Sequence, residues 1–467
     1  MLFVFYMANG TEKKKNGAPS RKRFTLGLEV EFFIIDKSTG RPVPRVEDLI
    51  RKVEEKAGGK EHAVVREFAA EMIEVGSYQD VEGSNTMKSL IENVRLLAYA
   101  ADEMGLALLP LGSYPGKFTP HVVRSAKSTI ESKLSFPRGG FLMEGRYVGF
   151  HCHYALPWGV FDAKELALKN LSDSKNQEIL VNAYNFLIAL DPVLTTFMQS
   201  SPFLQGRMLA KDSRMIAMRS DSALGDFPGW FAKHPILATL PPYVHTGTDI
   251  NHLVEQRTEA WLLWNKEAGT SAKEALAPFK SQLKINWSPL RINPHGTFEQ
   301  RGMDMNRLPV LLSVAILIQV LLRSVQEGSI TVVPHDSAKK EPFSLEGKQL
   351  FIAPDAYVRN HLQRLSAYEG LANDEMYQYC KRAVGLAKTL GGEKVEPLLK
   401  PLTTMLTERQ TTADKVLAQA RELGYKDKRK ALPQSIASEI ALAHAKQMFE
   451  DIVLLGEMIE ANNRLSA

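Results

Sequence analysis

Apolar positions change period several times along this chain, and each change marks an element. Over 25–35 the chain reads Thr-Leu-Gly-Leu-Glu-Val-Glu-Phe-Phe-Ile-Ile, which puts Leu28, Val30, Phe32 and Ile34 on one side of a strand. Over 84–104, Leu90, Val94, Leu97 and Ala101 recur at helical spacing and predict a helix. A buried strand is predicted over 106–111, ended by Gly112-Ser113-Tyr114-Pro115-Gly116. That loop lacks the Gly-Lys-Ser/Thr ending of a phosphate-binding P-loop. A long amphipathic or buried helix is predicted over 176–190. The stretch 206–252 is rich in Gly, Pro, Asp and His without clear periodicity, which predicts a lid or binding loop. A strand pair near 285–287 and 295–302 is followed by an apolar helix from Leu308. Past a boundary at 328–348, which carries Pro334, Pro342 and several charges, the pattern turns helical over 357–372, 375–390, 397–423 and 435–462.

The polar side of these strands carries the chemistry. Glu29 and Glu31 share the face opposite the apolar one, roughly 7 Å apart at the usual rise per residue. Two like charges that close in an apolar strand resist desolvation unless a cation holds them, and a hard divalent ion that takes oxygen ligands suits them. The pattern recurs. In 149–156, His151 and His153 project together, opposite Phe150, Cys152, Tyr154 and Leu156. Glu299 and Arg301 share a face in 297–301, and Glu74 points away from Ile73 and Val75 in 71–76. Glu67 lies seven residues before Glu74, close enough in sequence for both to flank one ion. A sheet curved around a cleft would gather these groups.

Composition narrows the class. A chain of 467 residues, 44% of them hydrophobic, can bury a large catalytic domain with a smaller appendage. The net charge of +5 is mild, and no basic block interleaved with aromatics supports nucleic-acid binding. The two cysteines, Cys152 and Cys380, lie far apart, which fits a reducing compartment and argues against a disulfide scaffold. Strand alternation turns Cys152 away from its histidine neighbours, as a buried core thiol. Residues 1–23 read as a flexible leader, with Met7 a candidate start, because the apolar stretch is too short for a signal peptide. The apolar run 310–322 falls short of a bilayer span and reads as a buried helix. Together these predict a soluble cytoplasmic protein without membrane or nucleic-acid partners.

The motifs, in this order, resemble those of the glutamate–cysteine ligases and glutamine synthetase, most closely the bacterial carboxylate–amine ligase branch. The resemblance rests on Glu29-Val30-Glu31, the 67–74 segment, Gly149-Phe150-His151-Cys152-His153 and Phe298-Glu299-Gln300-Arg301. Ser200-Ser201-Pro202-Phe203-Leu204-Gln205-Gly206-Arg207 with Ser213-Arg214, and Asn286-Trp287-Ser288-Pro289-Leu290-Arg291, extend it. It covers roughly 24–324. Gln300 departs from the family, which usually carries an apolar residue there, and Glu71 stands where glutamine is common.

The resemblance implies an α+β fold. A glutamine synthetase-like catalytic domain (24–327) has a curved, mostly antiparallel sheet lining the active site and helices outside. A linker (328–348) and a C-terminal helical region (349–467) follow. It implies ATP-dependent amide-bond formation through an acyl phosphate, with Mg²⁺, between a glutamate-like carboxylate and an amine. Glu31, Glu67 and Glu74 would hold one ion, with Glu71 an alternative, and Glu29, His151 and Glu299 another. His151 is also a candidate for the nucleotide phosphates or the reacting carboxylate. Arg291 and Arg301 would bind the transferring phosphate, and Arg214 the carboxylate or acyl phosphate. His153 is expected to support rather than ligate, and Trp287 to be core. A homo-oligomer is compatible with this reading. The alternatives are a zinc hydrolase built on the His-x-His strand and a catalytically inactive relative.

Overall fold

Strand β1 (Leu26–Asp36) is the axis of the molecule. The structure, a computed structural model, describes residues 24–465 apart from 135–139, 170–173, 220–221, 226 and 336–339. The leader 1–23 therefore lies outside the described residues. The main sheet adds β2 (Val64–Arg66), β3 (Met72–Gly76), β4 (Leu106–Leu109), β5 (Gly149–Ala155), β6 (Leu290–Asn293) and β7 (Thr297–Asp304). Its order is β6-β7-β5-β1-β3-β2, with β4 paired to the far end of β1, and every pairing is antiparallel.

Alternation explains why β1 takes the centre. Leu28, Val30, Phe32 and Ile34 are at most 1% exposed, on the face that packs into the main core. In its second half Phe33 and Ile35 are buried too, so the polar face is confined to the half that carries Glu29 and Glu31. On the apolar side lie α1 (Gly83–Glu103), α2 (Lys175–Met198) and α3 (Leu308–Gln326). Helices α2 and α3 are apolar and long enough to cross a membrane, but their most apolar windows are 89% and 61% buried in this core. They serve as core helices here.

Several expectations need correction. Helix α2 does not stop near Leu190 but continues through Asp191-Pro192 to Met198, where the Thr195 hydroxyl bonds back to the Asp191 carbonyl. The stretch 206–252 is no free lid. It holds the helix α4 (Ser213–Arg219), two short 3-10 turns and the start of α5 (Gly247–Glu267). Trp230, Phe231 and Leu237 from it are fully buried in a second, aromatic core with Trp261, Trp264 and Ile285. The first strand of the predicted 285–302 pair begins later, at Leu290, because Ile285 and Trp287 pack into that aromatic core instead. Within 328–348 the chain forms strands Thr331–Pro334 and Leu345–Glu346, which join Gln349–Ile352 in a small sheet. The helix predicted over 397–423 is broken. Arg409 adopts φ +52° and ends Lys400–Glu408, and a Thr411/Asp414 capping box starts Thr412–Glu422. The last helix, Gln434–Leu465, is tied to the start of α3 by the Arg307–Asp451 ion pair.

Candidate active site

Register brings the polar residues into one patch. Directly opposed residues of a sheet share a face. The pairs Glu31/Glu74, Glu29/His151, Glu299/His153 and Arg291/Glu299 therefore carry one polar surface across five adjacent strands, β3, β1, β5, β7 and β6. Glu67 joins them from the loop after β2.

Two groups emerge. Ligand atoms of Glu31, Glu67 and Glu74 lie within 4.8 Å of one another, and so do those of Glu29, Glu74 and His151. Glu74 belongs to both. Burial raises the Glu74 carboxyl well above its ordinary value, and the charges of Glu29, Glu67, Glu31 and Glu299 add to the rise. Burial and the Glu67 charge push Glu31 up to about 8, although it accepts the Gly149 N–H at 2.6 Å. Desolvation also raises Glu67, opposed by the Lys127 ammonium and reinforced by Glu144. Glu29 behaves oppositely: burial opposes its charge, but His153 and His151 hold it well below the usual range. Crowded carboxylates that must protonate in the absence of a cation form a hard oxygen donor set, and a single imidazole does not change that character. These residues fit Mg²⁺ or Mn²⁺.

Glu299 does not join either group. Its oxygens are taken by Arg291 at 2.6 and 2.9 Å, by Asn293 Nδ2 at 2.5 Å and by Arg301 Nε at 3.4 Å. Burial opposes its charge, yet Arg291, His153 and Arg301 hold the carboxyl well below its ordinary value. The expected set of Glu29, His151 and Glu299 is thus replaced in geometry by Glu29, Glu74 and His151. Glu71 turns elsewhere and accepts the His121 backbone N–H at 3.0 Å. His153 reaches Glu29 Oε2 at 3.3 Å and Thr297 Oγ1 at 3.1 Å and belongs to neither candidate metal group. Burial lowers His151 to about 4, so its ring is neutral and its Nε2 is buried without a hydrogen-bond partner. Cys152 is buried on the opposite side of the strand, and burial pushes its thiol up.

Arg291 and Arg301 converge as expected, both donating to the Asn286 carbonyl, at 3.0 and 3.3 Å. Arg214 donates instead to the carbonyls of Met303 (3.0 Å) and Arg301 (3.1 Å). It crowds Gly149, where a Cβ would lie 2.8 Å from its Nη2. Sequence reasoning missed Asn293, which strand alternation from Arg291 places on the site face. It also missed Lys127, which bonds Glu144 at 2.8 Å and lies 5.4 Å from the Trp287 ring centroid, because its helix is too short to show a period. Among the described residues no candidate metal group contains two histidines, which leaves the zinc hydrolase without support.

The result is a strongly acidic patch flanked by arginines on one face of an antiparallel sheet. The sequence model of glutamate-cysteine ligase family 2 matches residues 25–423, and the chain belongs to that family. A protein of Corynebacterium jeikeium (strain K411), provisionally named glutamate–cysteine ligase 2, is 32% identical over 91 residues. That match spans 20% of this chain and 23% of the relative, well short of its full length. The glutamate–cysteine ligase of Francisella tularensis, solved in complex with AMP, superposes with a TM-score of 0.55 at 14% identity, over 94% of each chain. A bifunctional glutathione synthetase from Pasteurella multocida gives a TM-score of 0.52 at 14% identity, over 92% of this chain and 53% of its own. These two likenesses establish the shared α+β fold.

Proposed function

We propose that this chain is an ATP-dependent carboxylate–amine ligase acting on small molecules in the cytoplasm. Its reaction joins a glutamate-like carboxylate to an amine with release of ADP and phosphate. The observation that carries this reading is the pair of acidic groups sharing Glu74 beside Arg291 and Arg301.

Direct attack of an amine on a carboxylate fails because oxide is a poor leaving group. Activation solves this. A carboxylate oxygen attacks the γ-phosphorus of ATP, the bond to the β–γ bridging oxygen breaks, and ADP departs. The amine nitrogen then attacks the acyl carbon, phosphate leaves with the C–O bonding pair, and the nitrogen loses a proton. Such phosphoryl transfer needs charge neutralised and groups held in line more than covalent help. Glu31, Glu67 and Glu74 would hold one Mg²⁺, and Glu29, Glu74 and His151 a second; bound there, Mg²⁺ offsets the charge of the phosphate oxygens. Arg301, whose Nε faces Glu299 Oε1 at 3.4 Å and whose Nη1 reaches the Asn286 carbonyl at 3.3 Å, offers its remaining donors to the transferring phosphoryl group. Arg291 keeps Glu299 ionised and fixed, so the arginine pair keeps its geometry. The Lys127–Trp287 edge next to Glu67 would form part of the wall facing the substrates.

The test is ADP release by the purified chain. Glutamate and related carboxylates would be crossed with a panel of amino acids and amines. Turnover should require Mg²⁺, a carboxylate and an amine together. Hydrolysis that proceeds without ATP, on tightly bound zinc, would defeat the proposal.

A further inference from the structure

Strand β7 is not regular where it passes His151. Gln300 pairs with Cys152 and Met303 with Phe150, so Arg301 and Gly302 together stand opposite the single residue His151. This is a β-bulge, and bulges re-aim side chains beside active sites. Its effect is definite. The extra residue lets Met303 return to the core while Glu299 and Arg301 both stay on the polar face.

Charged side chains grip this bulge from two sides, and none of them belongs to the acidic groups. Arg214 caps the carbonyls of Arg301 and Met303, which bracket the extra residue. Behind the strand, Gln300 donates to Asp191 Oδ1 at 3.0 Å. Arg219, on the same helix as Arg214, forks onto Asp191 at 2.5 and 3.0 Å and reaches Gln363 Oε1 at 2.5 Å. Asp191, Gln300 and Gln363 are at most 1% exposed and Arg219 is 3% exposed. The guanidinium of Arg219 also fills the space next to Gly302, where a Cβ would lie 2.6 Å from its Nη2 and run into Pro289. Meanwhile the Arg301 N–H is spent on the Pro289 carbonyl, 2.7 Å away. The Nε2 of Gln300, which points to the apolar side of β7, thus has Asp191 as its acceptor, while its Oε1 is buried without a hydrogen-bond partner.

We propose that Gln300, Asp191 and Arg219 are positioning residues, a buried clamp that fixes the β7 bulge and so aims Arg301 at the phosphate being transferred. The proposal rests on the ligase reading above. The clamp touches no substrate; it acts through the backbone of Arg301. A buried ion pair of this kind is often replaceable without loss of stability, so a role in aim accounts for its presence on the back of a site strand.

The test uses Gln300→Leu, of similar size, and Arg219→Lys, which keeps a charge beside Asp191 while releasing Gln363 and the space by Gly302. Each is compared with the wild type by thermal melting, by calorimetric binding of AMP and of a non-hydrolysable ATP analogue with Mg²⁺, and by steady-state turnover. A misaimed arginine should weaken the ATP analogue about tenfold and leave AMP unchanged. It should lower kcat about 100-fold, as displacements near 1 Å do, with KM for the carboxylate within about twofold. Folded variants with wild-type kcat and analogue affinity overturn the clamp. So does a parallel loss for both nucleotides that tracks the melting temperature. A wild-type chain that neither prefers the ATP analogue to AMP nor releases ADP removes the ligase reading first and the clamp with it. Intact wild-type behaviour with indifferent variants removes the clamp alone.

Discussion

Replacing Glu31 with glutamine should make the metal-free protein more stable while ending its catalysis. Glu31 is 6% exposed, and burial together with the Glu67 charge raises its carboxyl from 4.5 to about 8. The folded protein therefore binds this proton more tightly than the unfolded chain does. The stability it contributes is whole below pH 4.5 and drains away as pH rises towards 8. A rise of that size corresponds to roughly 4 kcal/mol at pH 8. Glutamine resembles the neutral acid in shape and can still accept the Gly149 N–H. In chelator at pH 8, Glu31→Gln should gain about 2–4 kcal/mol over the wild type, and at pH 4.5 about nothing. Urea denaturation at the two pH values measures both differences. Added Mg²⁺ should stabilise the variant less than the wild type, since only the group of Glu29, Glu74 and His151 is left intact, and ATP turnover by the variant should vanish. A variant less stable than the wild type at pH 8, or one stabilised by Mg²⁺ as strongly as the wild type, would refute the idea that unneutralised carboxylates are what this site stores.

Two further outcomes follow from the same electrostatics. Mg²⁺ affinity should rise with pH up to about 8, because a proton on Glu31 must leave before the ion enters. Calorimetry in buffers of different ionisation enthalpy should then show proton release that fades above pH 8, and pH-independent binding would count against it. Arg291→Met should destabilise the fold by about 3–5 kcal/mol by stranding buried Glu299, with most of the loss recovered in the double variant with Glu299→Leu. A single variant that unfolds like the wild type would show that Asn293 and Arg301 suffice to hold that charge.

Much of the site was legible because strand alternation is strict. Glu29 with Glu31, His151 with His153 and Glu299 with Arg301 project as pairs whatever their tertiary partners, and an α+β sheet gathering them follows from the shared pattern. Assigning partners was harder. Glu67, Glu71 and Glu74 are interchangeable in sequence, and only the fold shows Glu71 turned to His121. Glu299 entered the ligand set by resemblance, and nothing in its spacing reveals that Asn293 and Arg291 bond its oxygens. The aromatic core around Trp230 and Trp264 has no period, since its members come from turns and short helices. A bulge likewise leaves no trace in a hydrophobic pattern, and Gly302 is its single hint.

Strand β1 is hemmed in on both sides by segments that enter the chain much later or on the far side of a helix, with β5 more than a hundred residues downstream. No fragment that lacks β5 can complete the group of Glu29, Glu74 and His151, and closing so long a loop is slow and costly for a folding chain. The cation group that includes His151 is consequently acquired only once β5 has closed onto β1, whereas Glu31, Glu67 and Glu74 meet as soon as β1, β2 and β3 pair. Uptake of a second Mn²⁺ during refolding would therefore report the docking of β5.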